Sequence, residues 1–294
     1  MKLTIITINY NNAAGLQKTM QSVLSQTSKE FEYIVIDGGS TDGSVEIISD
    51  FAFDSAQAPR SLSGVEAQIS NFRWISEKDN GIYHAMNKGI RMAKGEYVQF
   101  VNSGDCLASD DVTEKMLAFL FLPSPVERDR GRGQILYGNM LKQMPKGILR
   151  DKCFVGRQPT MLDFYRGTLN HSPAYIKRSL FDKYGLYDET LKIVSDWKFY
   201  MQAIIFGGEK IEYRDVDVTL FDMTGISETN KDLDKAERLQ VLKEFLPETI
   251  LQDYQTWSFP ISQMQRVKRY PIAEKLYYVM ERCLFKLEKW RIKK

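Results

Sequence analysis

The chain has 294 residues, 43% hydrophobic and 27% charged, which is enough for a large buried core in one domain or in one domain plus an appendage. Only two histidines occur, which excludes a multi-histidine metal site, and three dispersed cysteines without a CxxC pair indicate reduced thiols in a cytosolic protein. Ten Lys/Arg against three Glu give residues 263–294 a net charge of +7; because the whole chain carries +2, the rest carries about −5, which excludes nucleic acid as a partner of the main body.

The N-terminal stretch "MKLTIITINYNN" is too short and too polar for a signal peptide, and no apolar run reaches the length of a membrane span. We therefore expect a cytoplasmic protein.

The first 122 residues alternate between strand and helix periodicities. Apolar strands are predicted at 3–10, 32–39, 71–76 and 96–102. Helices are predicted after each of them, in four places: after the capping pair Asn11–Asn12, from "DGSVEIISDF", from Ile82 to Ala93 with Gly95 at the C′ position, and at "DVTEKMLAFLF". This alternation predicts an α/β fold, a Rossmann-like and mostly parallel sheet flanked by helices.

The rest of the chain is less regular. Residues 122–134 are rich in Pro, Arg and Gly and predict an exposed excursion before a strand at "ILYGNM". Residues 142–175 are weakly periodic and predict loops. Helices at "SLFDKYG" and "SDWKFYMQAIIFGG", a strand at "KIEYRDVDVTLF" and helices from about residue 230 complete the prediction.

Parallel sheets bind ligands at the carboxyl ends of their strands, and polar residues stand at these ends. One end is "VNSGDC", residues 101–106, which contains Asp105. From the residues alone, Asp105 is either a turn former that ends a buried strand or a metal ligand. A second end is "IDGGSTDGS", where Asp37 is either part of an ordinary turn or an acceptor for a base N–H or a ribose hydroxyl. It lacks the GxGxxG spacing of a dinucleotide fingerprint.

Several spaced motifs then occur in order: "TINYNN", "QSVLSQ", "IDGGSTDGS", "SEKDNGIYHAMNKGIRMAKGEYVQFVNSGD" and "HSPAYIKRSLFDKYGLYDETLKIVSDWKFYMQ". Together they resemble the family 2 glycosyltransferases, in particular bacterial members of the polysaccharide-biosynthesis type. The resemblance covers about residues 1–225. It implies a GT-A (nucleotide-diphospho-sugar transferase) fold, inversion at the anomeric carbon and a divalent cofactor, Mg²⁺ or Mn²⁺.

Carried onto this chain, the resemblance implies three principal roles. Tyr10 would stack near the donor base, Asp105 would grip the metal, and Asp196 in "VSDW" would act as general base, 91 residues after Asp105. Further residues are predicted to bind the nucleotide or donor: Thr7, Asn9, Asp37, Ser40, Asp79, Asn87, Asn102 and His171. Asn87 has the alternative of capping local backbone, and His171 that of a structural hydrogen bond.

The chain departs from the family pattern at two acidic positions. Gly38 follows Asp37 where many members carry a second acid, which weakens the assignment of uracil recognition. In "NSGD", Asn102 and Gly104 stand where others carry acids, which leaves Asp105 as the one carboxylate of that motif.

Residues 230–294 predict a helical, basic C-terminal extension beyond a catalytic domain at 1–225, whose halves are about 1–122 (nucleotide-sugar binding) and 135–225 (acceptor). Near the end, one stripe carries Ile272, Leu276, Val279, Met280, Cys283 and Leu287 among many Lys and Arg. Such a helix is typical of a protein lying peripherally on an anionic membrane surface, and the family resemblance implies the inner face of the cytoplasmic membrane. Docking on the catalytic domain and a homodimer contact are the alternatives.

The sequence thus predicts a metal-dependent inverting glycosyltransferase. It would move a sugar from a nucleotide-sugar donor, UDP-linked, to a surface-polysaccharide or lipid-linked oligosaccharide acceptor. A catalytically silent sugar-nucleotide or glycan-binding module is the alternative that Gly38 and Gly104 keep open, although a pure binder has no need of Asp196 as a base. A nucleotidyltransferase fits less well, because "TINYNNAAG" is not a Gly-rich triphosphate loop with a basic residue.

Overall fold

The computed structural model describes residues 1–57, 71–121, 133–225 and 229–292. The chain forms two compact units, Met1–Arg238 and Leu239–Lys294. The excursion predicted at 122–134 lies outside the described residues except for its last two positions.

The first half of unit 1 is a parallel sheet. Its strands are β1 (Leu3–Asn9), β2 (Phe31–Asp37), β3 (Phe72–Ser76) and β4 (Tyr97–Phe100), in the order β3-β2-β1-β4. Every residue of β1, β2 and β4 is buried, as expected for strands with helices on both faces. Asn9 and Asp37 are partners in the register of β1 and β2, so their strand ends lie side by side.

The second half of unit 1 extends this sheet with β5 (Cys106–Leu107), β6 (Ile135–Met144), β7 (Gly147–Asp151), β8 (Ala174–Lys177) and β9 (Ile211–Phe221). The order continues β4-β8-β6-β9-β5, with β7 paired to β6. β8 runs antiparallel to both β4 and β6, whereas β9 runs parallel to β6. The predicted α/β fold class is confirmed, and the antiparallel pairs belong to this second half.

Helices cover both faces of the sheet. The helices of unit 1 are α1 (Ala13–Leu24), α2 (Ser44–Gln57), α3 (Ile82–Met92), α4 (Val112–Phe121), α5 (Met161–Arg166), α6 (Ser179–Tyr184), α7 (Ser195–Tyr200), a π-helical turn (Met201–Phe206) and the start of α8 (Lys231–Phe245). Helix α1 begins where the Asn12 side chain accepts a hydrogen bond from the Gly15 N–H, which confirms the predicted cap. One apolar core joins α1, α2 and α4 to one face of β1 and β2, while α3 packs on the other face.

Two sequence predictions are wrong in detail. Helix α3 ends at Met92 with Ala93 in an extended conformation, so Gly95 is not its C′ residue. A Cβ on Gly95 would lie 2.6 Å from the Leu3 carbonyl carbon, so the glycine permits close approach to β1. The prediction of loops over residues 142–175 missed the end of β6, β7, α5 and the start of β8, which together make up about half of this segment. The pairing of β6 with β7 and β8 is a tertiary property that weak local periodicity does not reveal.

Unit 2 contains the end of α8 and two long helices, α9 (Glu248–Val267) and α10 (Pro271–Ile292). None of the helices in the described ranges is long and apolar enough to cross a membrane.

Candidate active site

Two adjoining cavities open at the carboxyl ends of the central strands. The larger, of about 750 Å³, is lined by Asn9 and Tyr10 after β1 and by Asn102 to Asp105 after β4. The smaller, of about 310 Å³, is lined by His171, Asp196 and parts of α3 and α8. Both cavities share four lining residues: Ile82, Asn102, Asp105 and Phe221. Asp105 therefore stands at their junction.

The far part of the larger cavity is suited to a nucleoside. The Tyr10 ring is 68% exposed and stands beside Gly38, which leaves one aromatic face open for stacking. Asp79 also lines this part, and its Oδ1 is held by Lys88 Nζ at 2.6 Å and His84 Nδ1 at 2.8 Å. Its buried Oδ2 has no hydrogen-bond partner within the described residues, which leaves an acceptor for a ligand N–H or O–H.

Asp37 was predicted to bind the donor, but its carboxylate is bonded to neighbouring residues of the protein. Its carboxylate accepts five hydrogen bonds, from the Asn9 amide, the Ser76 hydroxyl, the Gly39 N–H, and both the N–H and the hydroxyl of Ser40. Burial acts to raise the pKa of Asp37, but these hydrogen bonds outweigh it and hold the pKa below its usual value. Both oxygens are used within the protein, and Asp37 is not among the described residues that line either cavity. Its observed contacts shape the loop after β2.

Three other predicted donor-binding residues also lie behind the cavities rather than along them, as far as the described residues show. Thr7 is fully buried, and its hydroxyl bonds the Val101 carbonyl and Tyr33. The Asn87 amide bridges the Tyr187 backbone and Glu189, so it bonds distant backbone and not the local backbone that the sequence alternative named. Ser40 bonds Asp37, as described above.

Asp105 is 4% exposed, yet it lines both cavities. Its Oδ1 accepts a hydrogen bond from the Asp222 N–H at 2.8 Å. Burial raises the pKa of Asp105 to about 7; this hydrogen bond opposes the rise and the neighbouring Asp222 charge adds to it. Such a carboxylate favours a cation beside it, because a cation stabilises its charged form.

The donor set at this junction fits Mg²⁺ or Mn²⁺. Beside Asp105, the Asn102 Oδ1 atom is buried and has no hydrogen-bond partner in the described part of the chain. Carboxylate and amide oxygens are the ligands that hard divalent cations prefer. The described residues contain no group of three or more His, Cys, Asp or Glu arranged to hold a metal. A Mg²⁺ site commonly takes one or two carboxylates from the protein and is completed by substrate phosphates and water.

Asp196 lines the smaller cavity from the first turn of α7. Its Oδ1 lies 2.9 Å from the Tyr83 hydroxyl of α3, and the same hydroxyl lies 2.5 Å from the Ile193 carbonyl. Burial, followed by the Asp196 charge, raises the pKa of Tyr83 well above its usual value, so the phenol stays protonated. The one phenol proton is shared between these two acceptors, and the hydroxyl thereby holds the Asp196 carboxylate in place at the cavity wall.

His171 also lines the smaller cavity. Its ring stacks on Phe100 at 5.0 Å between centroids, and Nε2 lies 2.9 Å from the Tyr187 hydroxyl. Burial lowers the pKa of His171, although the Asp196 charge opposes this, so the imidazole is neutral near pH 7. The neutral ring makes a hydrogen bond with Tyr187, which is the structural role that the sequence left as an alternative. The ring also lines the smaller cavity.

Sequence reasoning missed three residues at the site: Tyr83, Asp222 and Arg238. Tyr83 lies within a quoted motif, and Asp222 directly follows β9, so the strand-end rule could have found it had it been applied beyond β4. Arg238 lines the smaller cavity with its guanidinium 4.6 Å from the Trp197 ring centroid, and no local pattern marks it. Trp197 donates its indole N–H to the Phe164 and Gly167 carbonyls and is 1% exposed, so it packs in the core at the wall of the smaller cavity.

Comparison with solved structures shows the fold. S. aureus TarS 1-349 in complex with UDP-GlcNAc aligns with a TM-score of 0.61 at 20% identity, covering 86% of this chain and 70% of that one. The mannosyltransferase PcManGT from Pyrobaculum calidifontis, in complex with GDP-Man and Mn²⁺, aligns with a TM-score of 0.60 at 16% identity, covering 98% and 82%. Against a longer TarS structure, the chain spans 43% of that protein.

Comparison of sequences shows the family. The model of glycosyl transferase family 2 matches residues 4–126. The uncharacterized glycosyltransferase Rv1514c of Mycobacterium tuberculosis is 32% identical over 226 residues, which are 76% of this chain and 76% of that protein. The PGL/p-HBAD biosynthesis glycosyltransferase of Mycobacterium bovis BCG is 26% identical over 241 residues, 80% of this chain and 83% of that protein. With its GT-A-type sheet and these relatives, the chain belongs to glycosyltransferase family 2.

Proposed function

We propose that the protein is an inverting glycosyltransferase that uses a UDP-linked sugar and a surface-polysaccharide or lipid-linked oligosaccharide acceptor. The single observation that carries this proposal is the junction of the two cavities at Asp105. The larger cavity would hold the nucleotide sugar and the smaller one the acceptor. Their junction is where a sugar could pass from one ligand to the other.

The residues of the larger cavity would hold the donor at its nucleoside and at its diphosphate. Tyr10 would stack on the base, and the free Oδ2 of Asp79 would accept a hydrogen bond from it or from the ribose. Asp105 and Asn102 would hold a metal ion near the diphosphate. A bound Mg²⁺ or Mn²⁺ would neutralise the negative charge that develops on the departing nucleoside diphosphate.

Asp196 would take the proton from the acceptor hydroxyl, which is a poor nucleophile at neutral pH. Inversion requires this base on the face of the sugar opposite the leaving group. The base must therefore come from a segment other than the one that binds the diphosphate. Asp196 on α7 lines the second cavity, whereas the strand-end residue Asp105 reaches both, which supports this division of roles.

Two solved structures of similar fold support a nucleotide-sugar donor, although their donors carry different nucleobases. TarS was crystallised with UDP-GlcNAc and PcManGT with GDP-Man and Mn²⁺. The silent binding module is the rival function, and Gly38 is the departure that favours it. A binding module does not explain a carboxylate that a buried phenol holds at the wall of a second cavity.

The test is donor hydrolysis measured as release of free nucleoside diphosphate from UDP-, GDP- and dTDP-sugars, with Mn²⁺ or with EDTA. We expect metal-dependent release from a UDP-sugar, lost in Asp105→Ala. Release from a GDP- or dTDP-sugar instead would contradict the proposal of a UDP-linked donor. Nucleotide binding in calorimetry, with no turnover of any donor in the presence of an acceptor extract, would favour the silent module.

We further propose that α10 holds the enzyme on an anionic membrane surface. Five apolar side chains of its stripe are each at least half exposed: Ile272, Leu276, Val279, Met280 and Leu287. Lys275, Arg282, Lys286 and Lys289 follow one border of this stripe, while Glu274, Glu281 and Glu288 recur every seven residues, roughly 140° around the helix from its centre. Basic residues beside the apolar stripe and acids away from it suit anionic lipid. In a helix pair, neither edge of the stripe would offer an acid to the basic border of the partner.

Neutralising the basic border should weaken vesicle binding. We expect Lys275→Gln/Arg282→Gln/Lys286→Gln to reduce partitioning onto phosphatidylglycerol-containing vesicles about 100-fold, since each basic residue near the surface contributes about 1 kcal/mol. Flotation at low and high salt measures this. The matched control is Glu274→Gln/Glu281→Gln/Glu288→Gln, which should bind no more weakly than the unmodified protein. Equal binding by both triple variants would contradict the proposal, as would a concentration-dependent dimer without vesicle binding.

A further inference from the structure

Asp222, at the end of β9, is a second carboxylate of the cavity junction. It directly follows Phe221, which is shared by the two cavities, and Asp222 itself lines the larger one with Asp105 and Asn102. Its backbone N–H donates to Asp105 Oδ1 at 2.8 Å across 117 residues of sequence. Two strand ends that are far apart in the chain are thus tied together at this point.

The Asp222 side chain takes the space in front of Gly104. A Cβ built on Gly104 would collide with Asp222 Oδ2, and the Asp222 Cβ and Cγ atoms lie 3.2 Å from it. Gly104 also has φ +105°, a conformation in which a side chain is strained whatever the space. An acid could therefore not stand at position 104 with this backbone, while a carboxylate from β9 occupies the volume that such an acid would enter.

The two oxygens of Asp222 have different surroundings. Oδ1 accepts hydrogen bonds from the Thr224 N–H at 2.9 Å and hydroxyl at 2.8 Å, which fixes the side chain. Oδ2 accepts no hydrogen bond from any described residue and faces Gly104. Asn102 Oδ1, a buried oxygen without a partner among the described residues, and the 96% buried Asp105 line the same cavity. Three oxygen-bearing side chains thus line the same cavity, and two of them are carboxyl groups.

We infer that Asp222 is a metal-binding residue of this chain and supplies, from β9, the carboxylate that Gly104 lacks. The inference rests on the proposed function, in which a divalent cation binds at the junction. It extends the metal site from one carboxylate to two, which is the number that Mg²⁺ commonly takes from a protein beside substrate phosphates. It also removes the doubt that Gly104 raised in the sequence, because the acid is present in space although absent from the motif.

The alternative is a purely structural role, in which Asp222 only forms the turn with Thr224. The variant Asp222→Asn separates the two roles, because an asparagine Oδ1 still accepts from Thr224 while the negative charge at Oδ2 is lost. Asp215→Asn is the matched control: it makes the same change on β9 at a carboxylate that bonds Asn139, Lys152 and Tyr213 outside both cavities. Thermal unfolding would verify that both variants fold.

The first measurement is Mn²⁺ binding in the presence of saturating UDP, monitored through the electron paramagnetic resonance signal of free Mn²⁺. The second is UDP binding in EDTA, measured by calorimetry. We expect Asp222→Asn to weaken Mn²⁺ binding at least 10-fold, with Asp215→Asn unchanged and UDP binding in EDTA unchanged in both. Unaltered Mn²⁺ affinity in Asp222→Asn, with a loss in Asp105→Asn, would assign Asp222 to the turn alone and overturn the inference. Absence of Mn²⁺ binding to the unmodified protein would also overturn it, while UDP binding in EDTA would leave the donor proposal standing.

Discussion

Asp196→Asn is expected to lower kcat for sugar transfer by about 10²–10⁴-fold, the usual contribution of a general base. The amide has nearly the shape of the carboxylate and its Oδ1 can still accept from Tyr83, so the cavity should keep its form. It cannot take the proton of the acceptor hydroxyl. Because Asp196 lines only the smaller cavity, the affinity for the nucleotide should change little.

Steady-state kinetics of transfer and calorimetry of UDP binding test this prediction together. Asp188→Asn is the matched control, since Asp188 bonds Lys198 and Thr190 near α7 and lies outside the two cavities. Tyr83→Phe should fall between them, because it keeps the base and removes its orienting hydrogen bond. A kcat for Asp196→Asn within a few-fold of the unmodified enzyme would assign the base to another group.

Asp105→Asn is expected to stabilise the metal-free protein at pH 8 while it abolishes metal-dependent donor hydrolysis. The pKa of Asp105 is about 7 in the folded chain, above its ordinary value of 3.8. Between pH 4 and pH 7 the folded state therefore holds a proton that the unfolded state has lost, so the free energy of unfolding falls as pH rises. At pH 8 the buried charge costs on the order of 2–4 kcal/mol, which an asparagine would not incur.

Thermal unfolding in EDTA between pH 4 and pH 8 measures this effect. A gain of this size corresponds to a melting temperature higher by about 5–15 °C, and the difference between variant and parent should shrink toward pH 4. Asp37→Asn provides a control of opposite sign, because hydrogen bonds hold the pKa of Asp37 low and stabilise its ionised form. An Asp105→Asn protein less stable than its parent at pH 8 would mean that the ionised carboxylate is stabilising without metal.

Much of the first half of unit 1 was predictable from local pattern. Alternating strand and helix periods located β1 to β4 and α1 to α4, and the rule for strand ends pointed to Tyr10, Asn102 and Asp105, all of which line the larger cavity. The second half was less predictable. The start of β6 was predicted, but its end, β7 and β8 are stabilised by antiparallel partners that local periodicity does not specify, and residues 142–175 were therefore predicted as loop.

The sequence by itself determined the family, the fold class and the positions of Asp105 and Asp196, because these depend on periodicity and on motifs of fixed spacing. Only the tertiary structure decided which polar groups are free to meet a ligand. Asp37 stands at a strand end and is saturated by its neighbours, whereas Asp222 fills the space in front of Gly104 from another strand. The partners of Asp37 lie 2 to 39 positions away in the chain, and Asp222 meets Asp105 across 117 positions, so both sets of contacts depend on how the strands and loops pack rather than on local periodicity.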